Sequence, residues 1–342
     1  METNRFKAEF KRFKKKKSVE ISSKTIIHFG EDYPSPDAWK IVQEKFDTSD
    51  DRWGGSRFGL KPMSTWSIYS IETFPGFIYI VDPFIRGSHL YWTTRCIRDY
   101  PLAPNASNLD ISLNPSDRGC LWEKHISLAR HERAEVDWLR KLRWVTLGYH
   151  YDWDRKIYHK ERVSKFPDDL SALSKFIAEL FRFPRYQPEA GIVNFYNMDS
   201  SIGGHTDHSE YDLTAPLISY SFGQSAVFLL GRSTLDETPA AMRVQSGDIM
   251  IMSGESRLAY HAVPMVFAAP LCNCKRGNDG AKCFCLNCEE GIRESLSYVP
   301  DCAPKDWNPI RGDVDLLSNY LQNTRINVNV RQVLPNDGKF PD

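Results

Sequence analysis

The sequence predicts an α+β fold dominated by β structure: a double-stranded β-helix (jelly roll) core flanked by helices, with an N-terminal helical extension. From about residue 190 onwards, short apolar runs alternate with Gly- and Ser-containing turns, a spacing typical of double-sheet β proteins. The first half instead carries longer segments with helical periodicity. The chain has 342 residues, 41% of them hydrophobic, which is enough for one large core.

Before residue 190 the sequence predicts three helices and a buried strand. Ser35 can cap the first of these helices and Pro36 suits its first turn. In the third, Asp168 and Asp169 favour the first turn and Pro184 prevents continuation. The predicted helices span residues 35–46, 88–100 and 168–181, and the strand spans 76–81.

After residue 190 the apolar runs are short and rich in β-branched and aromatic residues. Runs of this length between turn residues predict strands rather than helices. The predicted strands span residues 192–196, 217–222, 226–230, 242–244, 249–252 and 325–333.

The N-terminus is basic although the net charge of the chain is zero. Residues 1–20 hold eight Lys or Arg against three Glu, and Phe6, Phe10 and Phe13 recur there at helical spacing. Four interpretations stay open: a helix that contacts nucleic acid, a nuclear import signal, an organelle presequence, or a solvated basic helix. No apolar run approaches the roughly 20 residues that span a bilayer, so we expect a soluble intracellular protein whose cysteines are thiols or metal ligands.

A group of candidate metal ligands lies in the predicted β region. His205 and Asp207 are two residues apart, so on an extended backbone both side chains point to the same face and can reach one ion. With the remote His261 they supply two imidazoles and a carboxylate, the facial triad that binds non-haem Fe(II) and leaves coordination positions open. His261 could equally be a core histidine bonded to backbone.

Two arginines on the predicted last strand suggest an anionic ligand. Arg325 and Arg331 would both point inward, and a buried, unpaired arginine is costly. A small dicarboxylate could satisfy them by charge-assisted hydrogen bonds. The alternative is that they pair with surface carboxylates on an edge strand.

Together these motifs resemble one family, the AlkB-type Fe(II)/2-oxoglutarate-dependent dioxygenases. The matching pieces are Asn194-x-Tyr196, His205-x-Asp207-x-x-Glu210, His261 and Arg325-x-Asn327-x-x-x-Arg331. The resemblance covers most of residues 55–335 and is strongest to the first of the animal AlkB homologues.

The resemblance implies a role for each matched residue. The implied iron ligands are His205, Asp207 and His261. The residues implied to surround the co-substrate 2-oxoglutarate are Asn194, Tyr196, Arg325, Asn327 and Arg331, with Arg325 on the far carboxylate and Arg331 near the carboxylate beside the metal. Candidate substrate residues are Tyr149, Tyr151 and Glu210, although the two tyrosines could equally be ordinary half-buried strand residues.

The implied function is oxidation of methyl groups on nucleic-acid bases, using Fe(II), 2-oxoglutarate and O2. The expected substrates are 1-methyladenine and 5-methylcytosine in tRNA, with N6-methyladenine in unpaired DNA as a second, and the products are succinate, CO2 and, from N-methyl groups, formaldehyde. Bacterial members carry an acid where this chain has Ser209, so their base preference is not transferred. Alternatives are a protein or histone demethylase and a nucleic-acid-binding scaffold with weak turnover.

The resemblance also suggests a division of the chain. We expect a basic helix and linker over 1–60, helical and strand support with a nucleotide-recognition lid over 61–189, and the catalytic core over 190–335. A cysteine-rich insertion over 265–307 could hold structural zinc or be a loop of reduced thiols; its clustered cysteines are Cys272, Cys274, Cys283, Cys285 and Cys288. We expect a monomer in the nucleus, the mitochondrion or both.

Overall fold

Two antiparallel sheets face each other at the centre of the protein. The computed structural model describes residues 4–15, 25–30, 38–45, 55–131, 135–269, 286, 288–310 and 313–340. The strands are β1 (Ile41–Glu44), β2 (Ser67–Ile71), β3 (Phe77–Val81), β4 (Ala106–Ser107), β5 (Trp144–Asp152), β6 (Ile157–Val163), β7 (Ala190–Asn197), β8 (Ile202–His205), β9 (Leu217–Gly223), β10 (Ser225–Leu230), β11 (Ala240–Val244), β12 (Ile249–Met252), β13 (His261–Phe267) and β14 (Thr324–Arg331).

Helices surround these sheets. They are α1 (Arg5–Lys15), α2 (Ser88–Thr94), α3 (Pro115–Arg118), α4 (Leu121–His131), α5 (Trp138–Lys141), α6 (Asp168–Leu180), α7 (Glu289–Ser295) and α8 (Val314–Gln322). A π-helical turn, Arg95–Asp99, continues α2, so the helical segments predicted over 88–100 and 168–181 are confirmed. Among the described residues, no helix is both long and apolar enough to cross a bilayer.

The strand order confirms the predicted jelly roll. The large sheet runs β1-β2-β3-β12-β9-β14-β7-β5-β4, with β6 added beside β5, and the small sheet runs β11-β10-β13-β8. From β7 to β14 the chain passes back and forth between the two sheets and contributes four strands to each. The large sheet therefore has one face towards the small sheet and the other towards the helices.

Alternation along the strands separates the core from the inner face of the large sheet. On β9, Ile218, Tyr220 and Phe222 belong to the helix-facing core, and the Tyr220 hydroxyl lies 3.0 Å from Ser174 Oγ on α6. Ser219, between two of these core residues, therefore points to the inner face. The same alternation on β14 sends Ile326, Val328 and Val330 to the core and the residues between them inward.

The helix predicted over residues 35–46 is wrong where the structure describes it. Residues Ile41–Glu44 form β1, which pairs with β2 in antiparallel register. Trp39 packs against Phe74, with ring centroids 5.4 Å apart. The apolar spacing of this segment fits a helix. However, the segment lies along the edge of the large sheet, and the backbone hydrogen bonds it forms with β2 stabilise it more than its weak local helix preference would.

Helix α1 packs on the outer face of the small sheet. Phe6 and Phe13 are buried and join an apolar cluster with Leu229 of β10 and Met265 of β13. The exposed side chains of the helix are mainly cationic: Arg5, Lys7, Lys11, Lys14 and Lys15. The helix is therefore solvated on its cationic side only, because its phenylalanines hold the other side to the sheet.

Four of the five clustered cysteines of the insertion lie outside the described residues: Cys272, Cys274, Cys283 and Cys285. Cys288 is described, and its Sγ accepts a hydrogen bond from the Gly291 N–H at the start of α7. Within the described residues no cysteine belongs to a cluster of metal-binding side chains. The described residues thus give no support for structural zinc, which stays a prediction.

Candidate metal centre

Two strands of the small sheet bring the candidate metal ligands together. His205 ends β8 and His261 begins β13, and the two residues are paired across the sheet. Asp207 follows two residues after His205. One ligand atom from each of these side chains lies within 4.8 Å of the others, close enough to hold a single metal ion.

Hydrogen bonds orient both imidazoles. His205 Nδ1 lies 2.9 Å from the Gly203 carbonyl oxygen, and His261 Nδ1 lies 3.1 Å from the Ala259 carbonyl oxygen. A carbonyl can only accept, so each Nδ1 carries the proton and each Nε2 presents its lone pair. This is the arrangement usual for metal-binding histidines.

The charge states of the cluster also suit a cation. Burial lowers the pKa of His261 to about 4, so this imidazole is neutral at pH 7. Burial alone would raise the pKa of Asp207, but Arg331 and the two imidazoles outweigh it and hold the pKa well below its usual value. The neutral His261 imidazole and the Asp207 carboxylate can thus bind a divalent metal without first losing protons.

His208, a rival ligand in the sequence, is exposed and lies outside this cluster. Its Nδ1 is 2.9 Å from Thr206 Oγ1 and 3.1 Å from the Thr206 carbonyl oxygen. Its local hydrogen bonds are therefore with its own loop.

A cavity of about 550 Å³ extends from the cluster between the two sheets. The predicted co-substrate residues meet there because β7 pairs with β14: Tyr196 lies opposite Arg325, and Asn194 lies opposite Asn327. Asn327 Nδ2 donates to Ser219 Oγ at 2.8 Å. The residues predicted for this role all line the cavity: Asn194, Tyr196, Arg325, Asn327 and Arg331.

Arg325 is a buried cation without a carboxylate partner among the described residues. It is 2% exposed and donates only to neutral oxygens, Ser221 Oγ at 2.9 Å and the Gln224 carbonyl at 3.2 Å. Its Nε has no hydrogen-bond partner, and burial lowers its pKa. Such a group is stabilised when an anionic ligand enters the cavity.

Arg331 is paired, unlike Arg325. Its Nη2 lies 2.8 Å from Asp207 Oδ2 and its Nε lies 3.2 Å from Glu210 Oε1. The second oxygen of Glu210 lies 2.9 Å from Nη2 of Arg257, and Glu210 is 5% exposed. The Glu210 carboxylate, predicted to contact substrate, is thus held between two arginines.

Arg257 was missed by reasoning from the sequence. It is 1% exposed and donates to the carbonyl oxygens of Asp207 at 2.6 Å and Ala215 at 3.1 Å, as well as to Glu210. Arg257 is a single arginine in the turn Gly254–Leu258, and no sequence pattern around it predicts that it is buried against Glu210. Only the fold brings that turn against the loop that follows β8.

The two candidate substrate tyrosines occupy different places. Tyr151 lines the cavity, and its hydroxyl lies 3.0 Å from Ser209 Oγ. Tyr149 is not among the lining residues and packs edge-on against Phe340, with ring centroids 5.2 Å apart. The sequence reasoning missed two further lining residues in the β5–β6 hairpin, Trp153 and Lys156. The sequence features that could have predicted them are an aromatic residue two positions after Tyr151, for Trp153, and a cation in the turn, for Lys156.

Comparison with known proteins identifies the family. The model of the 2OG-Fe(II) oxygenase superfamily, where 2OG is 2-oxoglutarate, matches residues 102–331. The chain belongs to the 2OG-Fe(II) oxygenase superfamily. Human nucleic acid dioxygenase ALKBH1 is 40% identical over 312 residues, which cover 90% of this chain and 77% of the human protein. The chain is thus an AlkB-type dioxygenase, as its motifs predicted.

Two further relatives of this dioxygenase carry more specific names. The DNA N(6)-methyladenine demethylase ALKBH1A of Arabidopsis thaliana is 28% identical over 78% of this chain and 77% of its own length. The tRNA demethylase abh1 of Schizosaccharomyces pombe is 46% identical over 37% of this chain and 43% of its own length. Membership of the superfamily implies Fe(II), 2-oxoglutarate and O2, and His205, Asp207 and His261 fit the iron.

Proposed function

We propose that this dioxygenase oxidises methyl groups on nucleic-acid bases. The proposed substrates are 1-methyladenine and 5-methylcytosine in tRNA, with N6-methyladenine in unpaired DNA as a second. The observation that carries the proposal is one cavity that joins the metal cluster, an aromatic, cationic rim, and Arg325, which has no carboxylate partner among the described residues. The named activities of the human, plant and fission yeast relatives support the same substrate class.

In this proposal 2-oxoglutarate lies between β7, β14 and the metal. Arg325 holds the far carboxylate, because its buried guanidinium has no other anionic partner among the described residues. Arg331 lies near the carboxylate beside the metal, where it already neutralises Asp207. Asn194, Tyr196 and Asn327 line the space between them.

When bound, Fe(II) with 2-oxoglutarate and O2 supplies the oxidising power for C–H hydroxylation, with loss of succinate and CO2. The chain orients the reactants. The Nδ1 hydrogen bonds fix the direction of both imidazole Nε2 atoms. Phe228, stacked against His261 with ring centroids 5.8 Å apart, covers one side of the cluster with apolar surface.

Tyr151, Trp153 and Lys156 form what we call the cavity rim. Tyr151 and Trp153 are in edge-on contact, with ring centroids 4.9 Å apart, and the Trp153 side chain is 44% exposed. The exposed ring of Trp153, at the mouth of the cavity, can stack a displaced base, and Lys156 can contact its phosphate. The exposed cations of α1 supply a further surface for the polyanion.

The test is succinate release by purified protein with matched methylated and unmethylated substrates. We expect release with tRNA carrying 1-methyladenine and with unpaired N6-methyladenine DNA, and loss of release in Arg325→Ala and in His205→Ala. Mass spectrometry of the nucleosides identifies the base consumed. Release only with methylated histone peptides would instead establish a protein demethylase, and binding of nucleic acid without release would establish a scaffold.

A further inference from the structure

The strand that carries His205 is weakly held by its own sheet. Strand β8 has four residues and lies at the edge of the small sheet, where β13 is its pairing partner within the described residues. The pairing is irregular between His261 and Val263. A short edge strand with a bulge is among the parts of a sheet that open most easily.

Two glycines lie behind this region of the small sheet. Gly204 directly precedes His205, and Gly231 directly follows Leu230, the residue paired with His261. The Gly231 N–H also donates to the carbonyl oxygen of Tyr260 at 2.7 Å. Both glycines are thus adjacent to backbone that positions a metal ligand, and neither adds a side chain to the packing there.

The ring of Phe6 lies against both glycines. A Cβ atom added to Gly204 or to Gly231 would lie only 2.8 Å from the Phe6 ring, closer than real Cβ contacts allow. The Phe6 ring is also 6.3 Å from the Tyr260 ring, and Phe6 is 1% exposed. Its own N–H donates to the Leu235 carbonyl at 3.1 Å, which fixes the start of α1. One side chain of α1 therefore contacts the residues that precede both histidines.

We infer that Phe6 is a positioning residue for the metal site: its ring, packed on Gly204 and Gly231, holds His205 and His261 at the separation that binds one ion. Successive residues of a strand point to opposite faces, so Gly204 meets Phe6 while His205 faces the cavity. A gap on the outer face would let β8 move away from β13. The inference rests on the assignment of the metal cluster, not on the identity of the nucleic acid.

Phe13 offers a matched control on the same helix. It is also buried, against the same sheet, and seven residues from Phe6, or about 10 Å along the helix axis. Phe6→Ala and Phe13→Ala remove the same atoms and leave every cation of α1 in place. A difference between them in metal binding cannot come from a loss of phosphate contacts.

The experiment measures the dissociation constant of Mn(II) for the full chain without nucleic acid, together with the thermal midpoint of the metal-free protein. We expect both alanine variants to lower the midpoint, but only Phe6→Ala to weaken Mn(II) binding, by about tenfold or more. Equal effects of the two variants on the dissociation constant, or none from Phe6→Ala, would overturn the inference.

A reciprocal pair of variants tests the contact itself. Gly204→Ala should weaken Mn(II) binding because the new methyl group meets the ring, and Phe6→Ala in the same chain should restore part of that affinity. Additive losses would contradict the proposed contact. His205→Ala checks the site: if it binds Mn(II) like the wild type, the metal assignment is wrong and the inference falls with it. A failure of methylated nucleic acid as substrate would leave these measurements unaffected.

Discussion

Arg257 Nη2 lies 2.9 Å from Glu210 Oε2, and both side chains are almost fully buried. The other Glu210 oxygen lies 3.2 Å from Arg331 Nε, and Arg331 in turn contacts Asp207. Arg257 thus holds the loop after β8 and, through Glu210, joins it to the last strand of the large sheet. The geometry of the candidate metal carboxylate depends on a residue that does not line the cavity.

The first prediction concerns this buried pair. Arg257→Met should lower the free energy of unfolding by about 3 kcal/mol, because it removes one of the two cations that neutralise a buried carboxylate. Arg257→Met combined with Glu210→Gln should lower the free energy of unfolding by less than the sum of the two single changes. Urea denaturation of the metal-free protein measures the free energy of unfolding of the two single variants and of the double variant. Lys165→Met, at an exposed pair with Asp168, is the control and should leave stability nearly unchanged.

The second prediction concerns pH. Burial raises the pKa of Asp248 to about 7, above its value in an unfolded chain, despite hydrogen bonds from Tyr79 and the Gln245 N–H. The folded state therefore holds this proton more tightly. As pH rises from about 4 to about 7, the wild type should lose stability relative to Asp248→Asn, by up to about 1.4 kcal/mol per pH unit. Above about pH 7 the free energies of unfolding of the wild type and of Asp248→Asn, plotted against pH, should run parallel. Parallel curves from pH 4 upwards would disprove the shift.

Much of the core was predictable because the strands after residue 190 have short apolar runs between turn residues. Period-two alternation also explains why Arg325 and Asn327 share a face. The β1 strand was not predictable, since its conformation comes from pairing with β2 rather than from its own residues. Arg257 and Phe6 were not assignable to the site either, because each acts through long-range packing that leaves no local pattern.

The third prediction concerns Arg325. Arg325→Met should weaken 2-oxoglutarate binding by at least about 30-fold, since truncating one partner of a buried charge pair costs about 2–5 kcal/mol. The same change should leave the metal-free protein as stable as the wild type or more stable, because it removes a buried charge that has no carboxylate partner among the described residues. Calorimetric titration with 2-oxoglutarate and urea denaturation measure the two effects. A stability loss that accompanies unchanged 2-oxoglutarate affinity would show that Arg325 is only structural.

The fourth prediction separates the cavity rim from its neighbour Tyr149. Trp153→Ala should raise the KM for methylated nucleic acid by about fivefold or more, because stacking of one base contributes about 1–3 kcal/mol. The dissociation constants of the Trp153→Ala variant for Mn(II) and 2-oxoglutarate should equal those of the wild type, since the Trp153 ring contacts Tyr151 and Trp144 rather than the metal cluster.

Tyr149→Ala is the matched control for that measurement. Tyr149 lies in the same strand but packs against Phe340 outside the cavity, so its loss should lower stability and leave the KM near the wild-type value. Succinate release at saturating 2-oxoglutarate gives both KM values. A larger KM increase for Tyr149→Ala than for Trp153→Ala would move the base-stacking surface away from the rim and towards the C-terminal residues around Phe340.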